Sequence, residues 1–128
     1  KQLNLIYNAC EVGINTAMGE GWGLVSFEHA ATGAAQIVPR HSACAELWEG
    51  AAELLEPISH EVPDFAILEM ATASPADAAA ALDRLYNSTD YLIELSLAGY
   101  HNATRPEFQW SHIAAQWDRL FRDLRSPN

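Results

Sequence analysis

The sequence is poor in cysteine and has no long apolar run. Two cysteines among 128 residues are too few for a disulfide scaffold and are typical of a reducing compartment, so we expect a cytoplasmic location. No apolar stretch approaches the roughly 20 residues that a transmembrane helix needs. The N-terminus predicts no signal peptide, and the missing initiator methionine suggests a trimmed or partial chain.

Basic residues are also scarce. Seven lysines and arginines against 17 aspartates and glutamates give a formal net charge of −10. Such a surface repels phosphate backbones and anionic lipid, so neither nucleic acid nor a membrane surface is an expected partner. A nucleotide is still compatible, because backbone amides can hold its phosphates. A hydrophobic share of 49% in this length predicts one domain with a core of its own.

Apolar periodicity and turn residues predict an α/β fold. Short helices and short strands alternate through the first half of the chain, which is typical of a parallel sheet with right-handed crossovers. In chain order we predict a helix over 3–10, a strand within 11–18, a helix over 24–32, a strand over 34–38, a helix over 42–50, a strand over 51–57 and an added strand over 64–70.

The second half predicts helices only. Ser74 is a capping residue followed by proline, the usual start of a helix. A second helix is predicted over 88–98 and ends at Gly99, and a last one runs over 106–124. We interpret the aromatic residues of the last helix, which recur at three- and four-residue steps, as core packing.

The stretch "GEGWG" at residues 19–23 lies where a strand ends and a helix begins. Ligands of open parallel sheets bind beyond the carboxyl ends of the strands, and the first amides of a helix suit a phosphate. Glu20 and Glu28 would then lie on one edge of a pocket and accept hydrogen bonds from sugar hydroxyls. This pattern fits a nucleotide sugar, although a purely structural turn with dipole-favoured acids explains it as well.

Other ligands fit less well. The three glycines of this stretch lack the spacing of the dinucleotide fingerprint, and Glu46 is an imperfect match for its acid, so a flavin or nicotinamide site is the weaker alternative. His41 and Cys44 have no second ligand pair at zinc spacing. We interpret them as a surface imidazole and a buried thiol.

Residues 20–33 read E-G-W-G-L-V-S-F-E-H-A-A-T-G. This resembles the Glu–seven residues–Glu motif of the retaining glycosyltransferases of family 4, usually E-G-F-G-L-x-x-x-E-A-M-A-x-G. Segments on both sides resemble that family in the same order. The family has two Rossmann-like domains that face each other across a cleft, the GT-B arrangement. The resemblance implies that residues 1–128 are a single, partial C-terminal donor domain, a parallel sheet flanked by helices and followed by C-terminal helices, without the acceptor domain.

The resemblance also implies roles for the site residues. Glu20 would be the catalytic residue, in contact with the transferred sugar, and Glu28 would hold the donor ribose. No cofactor and no metal are expected, in agreement with the absence of an Asp-x-Asp motif. The backbone amides that would line the sugar and the diphosphate are those of Gly21, Trp22, Gly23 and Leu24.

Three expectations follow from the resemblance. The family strands that bring Arg and Lys to the leaving diphosphate have no counterpart here, so the chain alone is expected to be inactive. The missing domain leaves apolar surface for a homodimer or a separate chain. A non-catalytic nucleotide-binding or interaction module is the alternative.

Two further interpretations concern positions near the motif. His29, where the family often has alanine, is interpreted as a surface substitution in preference to a change in donor choice. Asn15 and Thr16, at the strand end, either contact a ligand or cap the turn.

Overall fold

The computed structural model describes residues 2–64 and 67–125. Helices and strands alternate as far as β3, two further strands follow directly, and the rest of the described chain is helical. The elements are α1 Gln2–Tyr7, β1 Val12–Ile14, α2 Leu24–Ala30, β2 Ala35–Pro39, α3 Ser42–Leu47, β3 Glu53–Leu55, β4 Pro57–Glu61, β5 Met70–Ala73, α4 Pro75–Asn87, α5 Thr89–Ala103, a 3-10 helix Pro106–Phe108 and α6 Trp110–Arg125.

Strand β2 lies at the centre of a three-stranded parallel sheet with the order β1-β2-β3. All five of its residues are buried. A parallel strand that is covered on both faces needs such a continuous buried run, which the sequence supplies between Gly33 and Arg40. The predicted α/β fold, a partial Rossmann-like parallel sheet flanked by helices, is therefore confirmed.

Side chains of β2 alternate between two core layers. Ile37 packs with Leu85 of α4 and Leu95 of α5 on one face of the sheet. Val38 packs on the opposite face with Trp48 and the α2 side chain Phe27. The sheet thus separates α4 from α2 and α3.

A polar contact ties the helical half to the sheet. Glu53 of β3 accepts hydrogen bonds from Arg84 of α4 and from the Tyr91 hydroxyl of α5. The bond to Glu53, followed by burial, raises the pKa of Tyr91 to about 12. The hydroxyl therefore stays protonated and donates throughout the neutral range.

The helix boundaries predicted at Ser74 and near Gly33 are confirmed. The Ser74 hydroxyl accepts a hydrogen bond from the backbone N–H of Asp77 at 3.2 Å, so it caps α4. Gly33 follows α2 with φ of +93°, the left-handed conformation that commonly ends a helix. Helix α1, in contrast, ends at Tyr7 and does not reach Cys10.

The strand predicted over 64–70 is wrong. Two antiparallel strands, β4 and β5, flank this segment: β4 ends at Glu61 and β5 begins only at Met70. Asp64 and residues 67–69 lie outside the strands, and residues 65 and 66 lie outside the described part of the chain. Ile67 is 98% exposed and Leu68 is 71% exposed, so these two apolar side chains do not belong to a core strand. An unalternated apolar run does not by itself specify a strand.

The predicted helix end at Gly99 is also wrong, since α5 continues through it to Ala103. Gly99 is buried, and a Cβ at this position would lie 3.4 Å from the carbonyl oxygen of Ala51. This glycine therefore allows α5 to approach the segment before β3 closely. It marks helix packing, not helix termination.

The aromatic residues of α6 do not form core, contrary to the prediction. No described residue of α6 is buried, and Trp110 is 82% exposed. Three- and four-residue spacing shows only that one face of a helix is apolar, not what covers that face. None of the described helices is long and apolar enough to cross a membrane.

Candidate functional site

The loop after β1 lies at the carboxyl edge of the parallel sheet, as predicted. The backbone N–H of Asn15 donates to the carbonyl of Ile37 at 2.9 Å and extends the pairing of β1 with β2. Its side-chain Oδ1 then accepts the N–H of Ala17 at 2.8 Å. Asn15 therefore caps the turn, one of the two roles that the sequence suggested.

The main chain at Glu20 is fixed to the start of α3. Its N–H donates to the Ser42 hydroxyl at 3.0 Å, and its carbonyl accepts the N–H of Ala43 at 3.2 Å. Ser42 adopts a φ of +46°, a conformation that costs a non-glycine residue energy. The loop after β1 and the loop after β2 are thus joined where both strands end.

Only one of the three glycines in the turn has a backbone conformation that favours glycine. Gly23 has a φ of +84° and immediately precedes α2, and a Cβ there would lie 3.4 Å from Cγ of Glu20. Gly19 and Gly21 have no heavy atom within 4 Å of their Cβ positions. Within the described residues no side chain caps the start of α2, so its first amides keep their donors free.

The remaining predicted residues of the turn are exposed or half-exposed. The Trp22 ring stacks on Phe27 with centroids 5.3 Å apart and lies nearly perpendicular to the Phe108 ring, with centroids 5.1 Å apart. These contacts anchor the turn to the core on the side of α2. Leu24, the first residue of α2, is 63% exposed.

Glu28 is exposed on α2 and faces α1. The Tyr7 hydroxyl donates to its Oε2 at 3.0 Å. Desolvation, and then this hydrogen bond, raises the pKa of Tyr7. The second carboxylate oxygen of Glu28 has no protein partner among residues 2–64 and 67–125.

The two acids line different cavities, contrary to the single pocket edge that the sequence predicted. Glu20 borders a cavity of about 380 Å³ at the end of β1. Glu28 borders another, of about 510 Å³, together with Tyr7 and Thr32. The eight-residue spacing does not bring the carboxylates together, because Glu28 lies on the side of α2 that faces α1.

His41 and Cys44 flank the same sheet edge. Cys44 is fully buried, as predicted, and burial followed by the negative charge of Glu20 raises the pKa of its thiol to about 11. His41 is buried as well, so the surface imidazole was a wrong prediction. Its Nδ1 lies 3.0 Å from the Ser42 hydroxyl. In the described part of the chain no three His, Cys, Asp or Glu side chains cluster as metal ligands.

The sequence placed one residue of this region wrongly and missed another. His29 is only 6% exposed, so the predicted surface substitution is wrong, and the missed residue, Gln36 of β2, is 1% exposed. Both line the cavity that Glu20 borders. The sequence did contain a signal for a polar site here, namely a glutamine within an otherwise apolar predicted strand. A buried side-chain amide needs hydrogen-bonding neighbours, so its presence indicates other polar groups close by.

Comparison with known proteins shows the fold of this region. No protein-family profile matches the sequence, and no curated protein matches it. Among solved structures, the chain is similar to sucrose-phosphate synthase from Thermosynechococcus elongatus, with a TM-score of 0.74 and 22% sequence identity. The match covers 96% of this chain and 27% of that one, so the chain spans about a quarter of the enzyme's length. Its α/β architecture is that of one part of this synthase.

Proposed function

We propose that the chain is the donor-binding part of a retaining glycosyltransferase, which transfers a sugar from a nucleoside diphosphate sugar to an acceptor. One observation carries this proposal: the glycine turn with Glu20 lies at the carboxyl edge of a parallel sheet whose fold is similar to part of sucrose-phosphate synthase, a glycosyltransferase. Ligands of such sheets bind at this edge. The retaining mechanism and the family 4 assignment rest on the motif.

Each proposed role uses a group that is available at the site. Glu20 contacts the transferred sugar as the catalytic residue, and Glu28 holds the ribose with the oxygen that Tyr7 leaves free. A nucleotide sugar that reaches from one cavity to the other would connect them. No cofactor or metal is proposed. The backbone amides that line the sugar and diphosphate are those of Gly21, Trp22, Gly23 and Leu24. The Gly21 N–H donates to Oε1 of Glu20 at 3.1 Å and exchanges this partner for the ligand, whereas the other three N–H groups have no partner within the described residues.

The charges around the sheet edge support the proposed inactivity of the chain alone. Arg40, which directly follows β2, is paired with Glu49 at 2.6 Å and with Glu56 at 2.7 Å. The positive charge of Arg40 is therefore already paired with two carboxylates of the same chain. Stabilisation of a leaving diphosphate would need further basic groups, and removing such stabilisation typically costs about 3 kcal/mol of barrier or more.

The second candidate function is a non-catalytic nucleotide-binding or interaction module. The exposed apolar face of α6 favours it, because a face of this kind is usually covered by another surface. An acceptor domain, a separate chain or a second copy would each cover it. We propose a cytoplasmic protein with such a partner under either function.

Calorimetric titration with UDP, GDP and ADP tests the donor site. We expect one nucleotide to bind, and Glu28→Ala to weaken it by about 10- to 100-fold, since hydrogen bonds to a charged group contribute about 1.5–3 kcal/mol. Glu94→Ala, at an exposed glutamate of α5, is the matched control and should bind like the unchanged chain.

Two results would contradict the proposal. One is the absence of binding for all three nucleotides at millimolar concentration, and the other is equal affinity in Glu28→Ala and Glu94→Ala. The same preparation is expected to transfer no sugar from any nucleotide sugar. Detectable transfer would refute the proposed inactivity but would not contradict the proposed donor site.

A further inference from the structure

Only one residue of helix α1 is even partly buried. It is Tyr7, the last residue of the helix, whereas the others are exposed. The Tyr7 hydroxyl donates to Oε2 of Glu28 on α2 at 3.0 Å. Because the proposed function assigns the donor ribose to Glu28, this contact between α1 and α2 lies directly at the proposed site.

The Tyr7 ring is held in place by a buried neighbour. It stacks on the His29 ring with centroids 5.3 Å apart and an angle of 22° between the planes. His29 is only 6% exposed, and its Nε2 lies 3.1 Å from the carbonyl oxygen of Cys10. The backbone N–H of Cys10 in turn donates to the carbonyl of Tyr7 at 3.4 Å. The hydroxyl that meets Glu28 therefore belongs to a ring that is fixed through both its face and its backbone.

The Glu28 side chain depends on this contact for its orientation. Glu28 is exposed on α2, and the Tyr7 hydroxyl is its one hydrogen-bond partner among residues 2–64 and 67–125. A glutamate side chain has several rotatable bonds, and a ligand that must immobilise such a chain loses part of its binding free energy. A carboxylate that the protein already holds spares the ligand this cost.

The hydrogen bond from Tyr7 leaves room for a diol on the same carboxylate. An ionised carboxylate accepts about four hydrogen bonds, and Tyr7 uses one of them, on Oε2. The 2′- and 3′-hydroxyls of a ribose can therefore both donate to Glu28 while Tyr7 stays in place. Desolvation, and then the bond to Glu28, raises the pKa of Tyr7, so its hydroxyl keeps its proton and continues to donate at neutral pH.

We infer that Tyr7 is a positioning residue for Glu28, and that its hydroxyl fixes the carboxylate in the orientation that receives the donor ribose. The inference rests on the proposed function and adds to the site a residue that lies outside the glycine turn and outside its motif. Tyr7 acts through Glu28 and does not contact the ligand. Helix α1 thereby belongs to the donor site, although it precedes β1 in the chain.

Tyr7→Phe tests the inference, because it removes the hydroxyl and keeps the ring that stacks on His29. With the nucleoside diphosphate that binds, we expect an affinity about three- to tenfold weaker, the cost of immobilising one flexible side chain on binding. The 2′,3′-dideoxy form of the same nucleotide has no ribose hydroxyls and should bind both proteins equally. Tyr86→Phe, at a tyrosine of α4 that is 88% exposed, is the matched control and should change neither affinity.

A double-mutant cycle separates positioning from a merely structural role. In the Glu28→Ala background, Tyr7→Phe should cause no further loss of affinity, since its effect passes through Glu28. Three results would each overturn the inference. They are equal weakening of the ribose and dideoxy ligands, a further three- to tenfold loss in the Glu28→Ala background, and unchanged or tighter binding of the ribose ligand by Tyr7→Phe.

Carbon-13 relaxation of the glutamate side chains, measured without ligand, distinguishes a failure of this inference from a failure of the proposed function. We expect the Glu28 side chain to be more ordered than that of Glu94, an exposed glutamate of α5, and to lose this difference in Tyr7→Phe. If no nucleotide binds, the proposed function fails, and this result would still support the fixed carboxylate. Equal order of Glu28 in the unchanged chain and in Tyr7→Phe would overturn the inference whether or not a nucleotide binds.

Discussion

Replacing Trp48 by alanine is expected to lower the free energy of unfolding by about 3 kcal/mol. Trp48 is fully buried, and its ring lies 4.7 Å from that of Phe27. Truncation of a buried tryptophan to alanine typically costs about 3–5 kcal/mol. We expect the lower end, because the indole N–H is buried without a partner in the described chain, and its removal recovers part of a desolvation cost.

Trp110→Ala is the matched control, since the same truncation is made at a side chain that is 82% exposed. It should change the stability by less than about 0.5 kcal/mol. Urea unfolding followed by far-ultraviolet circular dichroism measures both variants. Equal losses in the two would show that α6 belongs to the cooperative core and would contradict the exposed α6 of the structure.

Gly13→Ala is expected to destabilise the chain by about 1–3 kcal/mol. The added Cβ would lie 2.5 Å from both Nδ1 of His29 and Oε1 of Gln36, closer than any ordinary contact. Both side chains are buried, and each is held by its hydrogen bond to a backbone carbonyl, so neither moves away freely. Central β2 would have to shift as well, because Gly13 pairs with Gln36 in the sheet.

Gly19→Ala provides the comparison within the same segment. No heavy atom lies within 4 Å of its Cβ position, and its φ is not in the left-handed region. Its stability should therefore stay within about 0.5 kcal/mol of the unchanged chain. Thermal unfolding of both variants decides the matter, and a Gly13→Ala protein as stable as Gly19→Ala would refute the tight packing at β1.

The sheet was accessible from sequence because its signals are local. The apolar run of β2 and the helix stop at Gly33 are each encoded within a few residues. The C-terminal end of α5 could not be predicted from such local signals. Whether Gly99 ends a helix or admits a close neighbour depends on the Ala51 carbonyl, 48 positions earlier in the chain, and spacing along the helix carries no trace of it.

In the candidate site, too, the features that depend on nearby residues were predictable from the sequence, and those that depend on distant contacts were not. The motif located the glycine turn and Glu20 correctly at the sheet edge, but the roles proposed for these residues stay predictions. The hydrogen bond from the Glu20 N–H to the Ser42 hydroxyl joins residues 22 positions apart, and it forms only once β1 and β2 are paired. The contacts of buried His29 are likewise distant in the sequence: its Nε2 lies 3.1 Å from the carbonyl oxygen of Cys10, and its ring stacks on Tyr7. Tertiary contacts of this kind override what single positions favour.

Backbone amide NMR with a nucleotide sugar tests the central claim, that the donor binds at the glycine turn, most directly. We expect the amides of residues 21–24 to shift most, because they form the glycine turn that leads into the uncapped start of α2 at Leu24. Residues 82–86 of α4, which lies on the opposite face of the sheet from α2, should shift least. The largest shifts at 82–86, or no shift at 21–24 when the nucleotide sugar is bound, would contradict donor binding at the glycine turn.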